Sequence, residues 1–222
     1  MAAFQTHITA GIIIGYIAGA FAAVVQWITA PFTPVCMLAA AFIGSFLPDL
    51  DSDHGKPFRI IFSFISVTVA SLVFVYFLKQ NTIHWNRWIA IPPLVALIIR
   101  YGIGKIFQKY TVHRGIFHSI PAMLIIIFAA PPALASFHLA ANDIIAISLS
   151  IGAGFFSHLV LDEIYSVVDF EGMKIKPKNS LGTAFTFIGY SKAGTAAAYL
   201  LLAALIFYNR RLLAQIFPVF RF

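Results

Sequence analysis

Charge and cysteine are both scarce in this chain. Only 10% of its 222 residues are charged and only 8 are acidic, whereas about a quarter of the residues of an ordinary soluble domain are charged. The chain is 60% hydrophobic, which is more apolar surface than a water-soluble fold can hide. Its single cysteine, Cys36, excludes a disulfide framework and a site built from several thiolates. The composition indicates an integral membrane protein whose metal ligands, if any, are nitrogen and oxygen.

Long apolar runs recur along the whole chain. They approach the roughly 20 residues that a helix needs to cross a bilayer. We therefore predict an all-α, polytopic transmembrane helix bundle forming a single domain over residues 1–222, with a short extramembrane loop or hairpin near 165–190. The predicted spans, about seven in number, lie near 8–26, 33–48, 60–78, 89–104, 118–136, 143–161 and 193–209.

The first apolar run carries a small residue at every fourth position, Gly11, Gly15 and Gly19. Such a ridge allows a second helix to approach closely. We interpret it as a packing surface within the bundle rather than a dimerisation motif.

Alternate loops of such a bundle lie on the same side of the membrane. The side that holds the N-terminus then receives every acidic residue except Asp143, together with most of the histidines. It also receives the larger share of the bases: Lys56, Arg59, Arg100, Lys105, Lys109, Arg114, Lys174, Lys176, Lys178 and Lys192. The positive-inside rule makes this side cytoplasmic. Because the bases are scattered between apolar runs and form no stripe, we expect membrane lipids as partners and no nucleic acid.

The segment SHLVLDE places His158 and Asp162 four residues apart. On a helix this spacing puts both side chains on one face, which suits two ligands of one ion. Ionisable groups at the end of an apolar span are costly unless they have a partner. A capping contact or a simple ion pair would explain the same spacing.

The segment PDLDSDH concentrates Asp49, Asp51, Asp53 and His54. Carboxylates so close together repel one another unless a cation or base neutralises them, and a divalent metal ion does so efficiently. A water-facing turn is the alternative interpretation.

The segment HRGIFHS supplies His113 and His118 around Arg114. The planar guanidinium of Arg114 suits a phosphate oxygen or a developing oxyanion, although a salt bridge to one of the aspartates is equally consistent. His7 lies on the same side at the start of the first span, where alone it would be an ordinary interfacial histidine.

Together these segments offer enough nitrogen and oxygen ligands for one or two divalent ions. Such a ligand set fits Zn or Mn and, less exclusively, Mg. Two metal ions can activate water and clamp a phosphoryl group. We favour one of Asp51, Asp53 or His54 as a general base that does not bind metal.

The early TH, GSFLPDLDSDH, HRGIFHS and SHLVLDE together resemble the LexA-regulated, membrane-bound metal-dependent hydrolases, the YdjM-like family of the bacterial inner membrane. The resemblance spans nearly the whole chain, and that family is in turn distantly similar to zinc-dependent phospholipases C and single-strand nucleases. The resemblance implies that this protein hydrolyses a phosphoester, such as a phospholipid or a lipid-linked phosphate. By motif, the implied metal ligands are His7, Asp49, Asp53, His113, His118, His158 and Asp162.

Two other functions remain open at this point. A transporter could use His and Asp along an ion path, but its polar residues should then lie near the bilayer midplane. A non-catalytic protein could use the metal to hold the bundle together, with closed coordination and no position for water.

Overall fold

The helices of the chain fall into two compact units. The first unit combines Met1–Pro48 with Arg114–Phe222, and the second unit is Asp49–His113. The prediction of a single domain stays a prediction. The computed structural model describes residues 3–51, 56–79, 85–105, 118–169, 174–175, 185–189 and 191–216.

The first unit contains most of the described helices. They are α1 (Phe4–Val24), α2 (Thr33–Gly44), α5 (Ile120–Leu134), α6 (Ala141–Val167), α7 (Lys192–Tyr208) and α8 (Arg210–Ile216). A short 3-10 helix, Ala135–Phe137, follows α5. Within the predicted loop or hairpin, β1 (Val168–Asp169) pairs antiparallel with β2 (Lys174–Ile175), with Val168 opposite Ile175 and Asp169 opposite Lys174.

The second unit consists of α3 (Lys56–Lys79), α4 (Trp85–Leu97) and the π-helical segment Ile98–Ile103 that continues α4. The rings of Phe58 and Phe62 on α3 pack against each other with centroids 4.4 Å apart. A Cβ on Gly104 would lie 3.3 Å from the ring of Phe58. Close packing of α3 on the end of the π-helical segment therefore holds this unit together.

Each predicted span coincides with a helix, which confirms the all-α membrane bundle. Among the described residues, the helices long and apolar enough to cross a membrane are Phe4–Val24, Ile120–Phe137 and Ala141–Val167. The shorter apolar helices are Thr33–Gly44, Phe62–Leu78, Ile89–Ile103 and Lys192–Tyr208. The number of crossings, about seven by the hydrophobic pattern, stays a prediction.

Side-chain caps set the beginnings of α5 and α7. The hydroxyl of Ser119 accepts a hydrogen bond from the N–H of Ala122, and Pro121 occupies the first turn, where no N–H is required. The hydroxyl of Ser191 accepts one from the N–H of Gly194. Ser119 therefore fixes where His118, the residue before it, meets the bundle.

The small-residue ridge of α1 packs against α2. A Cβ on Gly15 would lie 2.7 Å from the Cα of Leu38, and one on Gly19 would lie 3.0 Å from the carbonyl oxygen of Pro34. Because α2 packs directly against the ridge, the structure supports the interpretation that the ridge serves packing within the bundle. The antiparallel pair brings the end of α2 beside the beginning of α1.

The pattern of α1 is apolar outside and small or polar inside. His7, Gly11, Gly15 and Gly19 are buried, whereas Ile17 is 60% exposed and Phe21 is 67% exposed. Large apolar side chains on the outside of a helix are favourable where the surroundings are lipid, because lipid tails are as apolar as the side chains. The exposed face of α1 is therefore typical of a helix in a membrane.

A buried carboxylate ties the loop between α1 and α2 to the beginning of α6. Oδ1 of Asp143 accepts hydrogen bonds from the N–H of Thr29 at 3.0 Å, the N–H of Ala30 at 3.3 Å and the hydroxyl of Thr33 at 2.8 Å. Oδ2 accepts the hydroxyl of Thr29 at 2.6 Å. These contacts are the means by which a fully buried charge is satisfied in a protein interior.

Replacing Asp143 with Ala should lower the free energy of unfolding by about 2 kcal/mol or more, because the donors of Thr29, Ala30 and Thr33 lose their acceptor inside the protein. Asp143→Asn should cost less, since the amide oxygen can still accept at the Oδ1 position. Thermal unfolding in detergent would measure both variants. Equal stability of Asp143→Ala and the wild type would show that these hydrogen bonds contribute nothing net.

Candidate metal centre

Three buried side chains from segments far apart in the sequence meet in the first unit. His7 comes from the first turns of α1, and His158 and Asp162 come from the second half of α6. Their exposed fractions are 1%, 0% and 3%. One ligand atom from each lies within 4.8 Å of the others, so the three could hold a metal ion.

The Asp162 carboxylate lies between the two imidazoles. Oδ1 is 3.4 Å from Nε2 of His7, and Oδ2 is 3.7 Å from Nε2 of His158. Both distances exceed the 2.7–2.9 Å typical of a charge-assisted hydrogen bond. Both carboxylate oxygens are buried and accept no hydrogen bond from the described residues. The two oxygens of Asp162 therefore face the Nε2 atoms of His7 and His158 at distances too long for a hydrogen bond.

The two imidazole rings lie face to face. The rings of His7 and His158 are stacked with centroids 3.7 Å apart and an interplanar angle of 16°. This stacking aligns the Nε2 edges of both rings toward Asp162. The arrangement follows from the packing of α1 against α6.

A backbone carbonyl fixes the orientation of His158. Its Nδ1 lies 2.8 Å from the carbonyl oxygen of Ser45, at the end of α2. Nδ1 must be the donor in this contact because a carbonyl accepts only. In the neutral ring the lone pair then lies on Nε2, the atom nearest Asp162. Metal-binding histidines commonly donate their second N–H in this way, which fixes ring orientation and raises ligand basicity.

His118 lies beside this group, immediately before α5. Its ring centroid is 5.5 Å from that of His158 in an edge-to-face arrangement, and its exposed fraction is 1%. The hydroxyl of Thr186 donates to the carbonyl of His118 at 3.1 Å, and the N–H of Ile120 donates to the carbonyl of Thr186 at 3.1 Å. The described part of the polar segment after α6 thus positions a third histidine.

The structure therefore brings together His7, His118, His158 and Asp162 of the predicted metal ligands. Asp49 and Asp51 lie in the 3-10 helix Pro48–Asp51, and Asp49 is the first residue of the second unit. The side chain of Asp51 and the whole of Asp53, His54, His113 and Arg114 lie outside the described residues. For these positions the roles of metal ligand, general base or phosphate contact stay predictions.

Three positions of structural importance were not assigned a role from the sequence. Ser45 acts through its backbone carbonyl, which no sequence pattern marks. Thr186 contacts a residue 68 positions earlier in the chain. Asp143 was recognised only as the acid on the opposite side, although a carboxylate near the start of an apolar span signals a buried partner.

The family model of the YdjM inner membrane protein matches residues 1–218. The chain belongs to this family. The match covers nearly the whole sequence, so it confirms the family predicted from the four segments. Searches of curated proteins and of solved structures found no match.

Family membership establishes an inner membrane protein, in agreement with the apolar helices. The description of the family names no activity and no metal. The distant similarity to phospholipase C and the cytoplasmic position of the histidine cluster stay predictions.

Proposed function

We propose that this protein is a membrane-embedded, metal-dependent hydrolase of a phosphoester, with a phospholipid or lipid-linked phosphate as substrate. The observation that carries the proposal is the buried group of His7, His158 and Asp162, whose ligand atoms lie within 4.8 Å of one another. Two imidazoles and one carboxylate are a ligand set used by catalytic zinc sites.

The burial of the group supports a bound cation. A carboxylate at 3% exposure that accepts no hydrogen bond from the described residues would be expensive to maintain in an apolar bundle. A divalent ion coordinated by Asp162, His7 and His158 would remove that cost. The contact of His158 with the Ser45 carbonyl supports the same role, since it presents Nε2 as the ligand atom.

The position of the group within the helices favours an enzyme over a transporter. His7 is near the beginning of α1 and Asp162 is near the end of α6, so both lie toward one end of the unit. An ion path would require ionisable groups near the bilayer midplane and helices interrupted there. A site near the membrane boundary suits a substrate whose phosphate lies at the surface and whose chains remain in lipid.

His7, His158 and Asp162 would hold the ion, with His118 beside them. A divalent ion in this position would supply Lewis-acid activation of water and polarisation of a phosphoryl oxygen. Leu159 and Phe155, both buried next to His158, exclude bulk water from the side of α6 that packs against α5. Arg114 and the acidic segment Asp49 to His54 are the predicted sources of a phosphate contact and a general base.

The proposal is tested by release of phosphate or diacylglycerol from phospholipids and from lipid-linked phosphates. Protein reconstituted in vesicles with Zn, Mn or Mg should release product, and Asp162→Asn should reduce the rate by about 100-fold or more, because the neutral amide removes a ligand charge. Asp143→Asn is the matched control, since it changes a buried carboxylate at the other end of the same helix. Its rate should stay within about two-fold of the wild type.

Stoichiometric metal without hydrolysis of any phosphoester would contradict the enzymatic role. That result would favour the non-catalytic alternative, in which the ion only connects α1 to α6. Loss of activity in Asp143→Asn equal to that in Asp162→Asn would also count against the site.

A further inference from the structure

We propose that the first unit carries a binding site for an anionic phospholipid at the end opposite the histidine cluster, with an acyl chain between α5, α6 and α8 and the headgroup phosphate at Arg210 and Arg211. This site is separate from the proposed hydrolase centre and does not depend on its activity. Two adjoining cavities and the charge at their rim carry the inference.

The first cavity is apolar and has a volume of about 320 Å³, within the range of ligand pockets. Its walls come from the later part of α5, the early part of α6, α8 and Trp27 in the loop after α1, and they include Ile127, Phe128 and Leu213. The amide and the hydroxyl in its wall have partners in the protein: Asn209 donates to the carbonyls of Phe128 and Leu205, and Ser148 donates to that of Ile144. Such a cavity offers nothing to a polar ligand and suits a hydrocarbon chain.

The second cavity adjoins the first, because Pro131, Asn209 and Leu212 line both. Its volume is about 410 Å³, and its lining adds Arg210 and Arg211. Neither cavity has a carboxylate in its described lining. The carboxylate of nearby Asp143 accepts its hydrogen bonds from Thr29, Ala30 and Thr33 instead.

The guanidinium of Arg210 is held in place at this rim. It lies 4.3 Å from the ring centroid of Phe207, and its Nη1 donates to the carbonyl of Phe207 at 3.1 Å. This contact uses one of the five N–H donors of a guanidinium, whose planar fork matches phosphate oxygens. Arg211 is exposed at the next position. Two neighbouring positive charges beside an apolar cavity are complementary to a molecule with an anionic head and an apolar chain.

Native mass spectrometry of the delipidated protein would test the site directly. The probes are phosphatidylglycerol and phosphatidylethanolamine with the same acyl chains, offered together at equal concentration. We expect the wild type to retain more phosphatidylglycerol than phosphatidylethanolamine. In Arg210→Ala/Arg211→Ala the ratio of the two retained lipids should fall toward unity, by about five-fold for each arginine removed. Because the two lipids compete on one sample, partial unfolding lowers both signals and leaves their ratio readable.

Two further variants and one competitor separate this site from general attraction to basic residues. Arg59→Ala removes an exposed arginine from the second unit and should leave the ratio unchanged. Leu213→Trp fills the apolar cavity and should lower retention of both lipids. Equal retention of the two lipids by the wild type, a preference that survives the double substitution, or the same loss in Arg59→Ala would overturn the proposal. Displacement of phosphatidylglycerol by glycerol phosphate at the same concentration would also overturn it, because the apolar cavity would then contribute nothing.

Discussion

His158→Asn is expected to lower the affinity of the purified protein for zinc by at least about 100-fold. Removing the hydrogen-bond partner of a metal-binding histidine already lowers metal affinity by about 10–100-fold. This substitution removes the ligand atom itself. The asparagine amide can still donate toward the Ser45 carbonyl, which keeps the end of α2 satisfied. Metal content after dialysis against a graded chelator, measured by mass spectrometry, would give the affinity.

His138→Asn is the matched control for this variant. His138 is exposed in the loop before α6 and has a positive φ of 52°, a conformation that asparagine adopts readily. Its zinc affinity should equal that of the wild type. Unchanged zinc affinity in His158→Asn, or an equal loss of zinc affinity in His138→Asn, would show that His158 is not a metal ligand.

Gly154→Ala is expected to destabilise the protein by about 3 kcal/mol or more, because the added methyl group has no space between α2 and α6. A Cβ at this position would overlap the carbonyl oxygen of Ala41, and one on Gly44 would overlap that of Ile151. The obstacle is backbone, which cannot rotate away as a side chain does. A protein of this size should lose about 6 °C or more of its unfolding temperature, measured in detergent by intrinsic fluorescence.

Separation of α2 from α6 would also affect the candidate metal centre. Gly154 precedes His158 by one helical turn, and His158 contacts the Ser45 carbonyl at the end of α2. We therefore expect Gly154→Ala to weaken zinc binding as well as stability. Gly194→Ala is the control, because its Cβ would meet Ser191 at 3.5 Å, an ordinary contact. Comparable losses in both variants would show that close helix contact is not the cause.

The positions of the helices were predictable because their cause is local. Apolar runs of sufficient length have few alternatives to a helix in lipid, and each run predicted from the sequence coincides with a described helix. Boundaries were less accurate where no turn residue marks them. The predicted fourth span begins near residue 89, whereas α4 begins at Trp85.

The candidate metal centre was predictable in part for a related reason. The four-residue spacing of His158 and Asp162 fixes their common face on any helix. Counting apolar runs also assigns His7 and His118 to the same side of the membrane as this pair. The residue types of the cluster, and the end of the bundle where it lies, are thus properties of the sequence.

Contacts between helices were decided only by the tertiary structure. The stacking of His7 on His158 depends on how closely α1 approaches α6, and the tautomer of His158 depends on a carbonyl 113 residues away. The four hydrogen bonds to Asp143 likewise join residues more than 100 positions apart. Sequence determined which residues enter a membrane as helices because hydrophobicity and spacing act locally. The fold alone decided which of them touch, because contact depends on packing between segments distant along the chain.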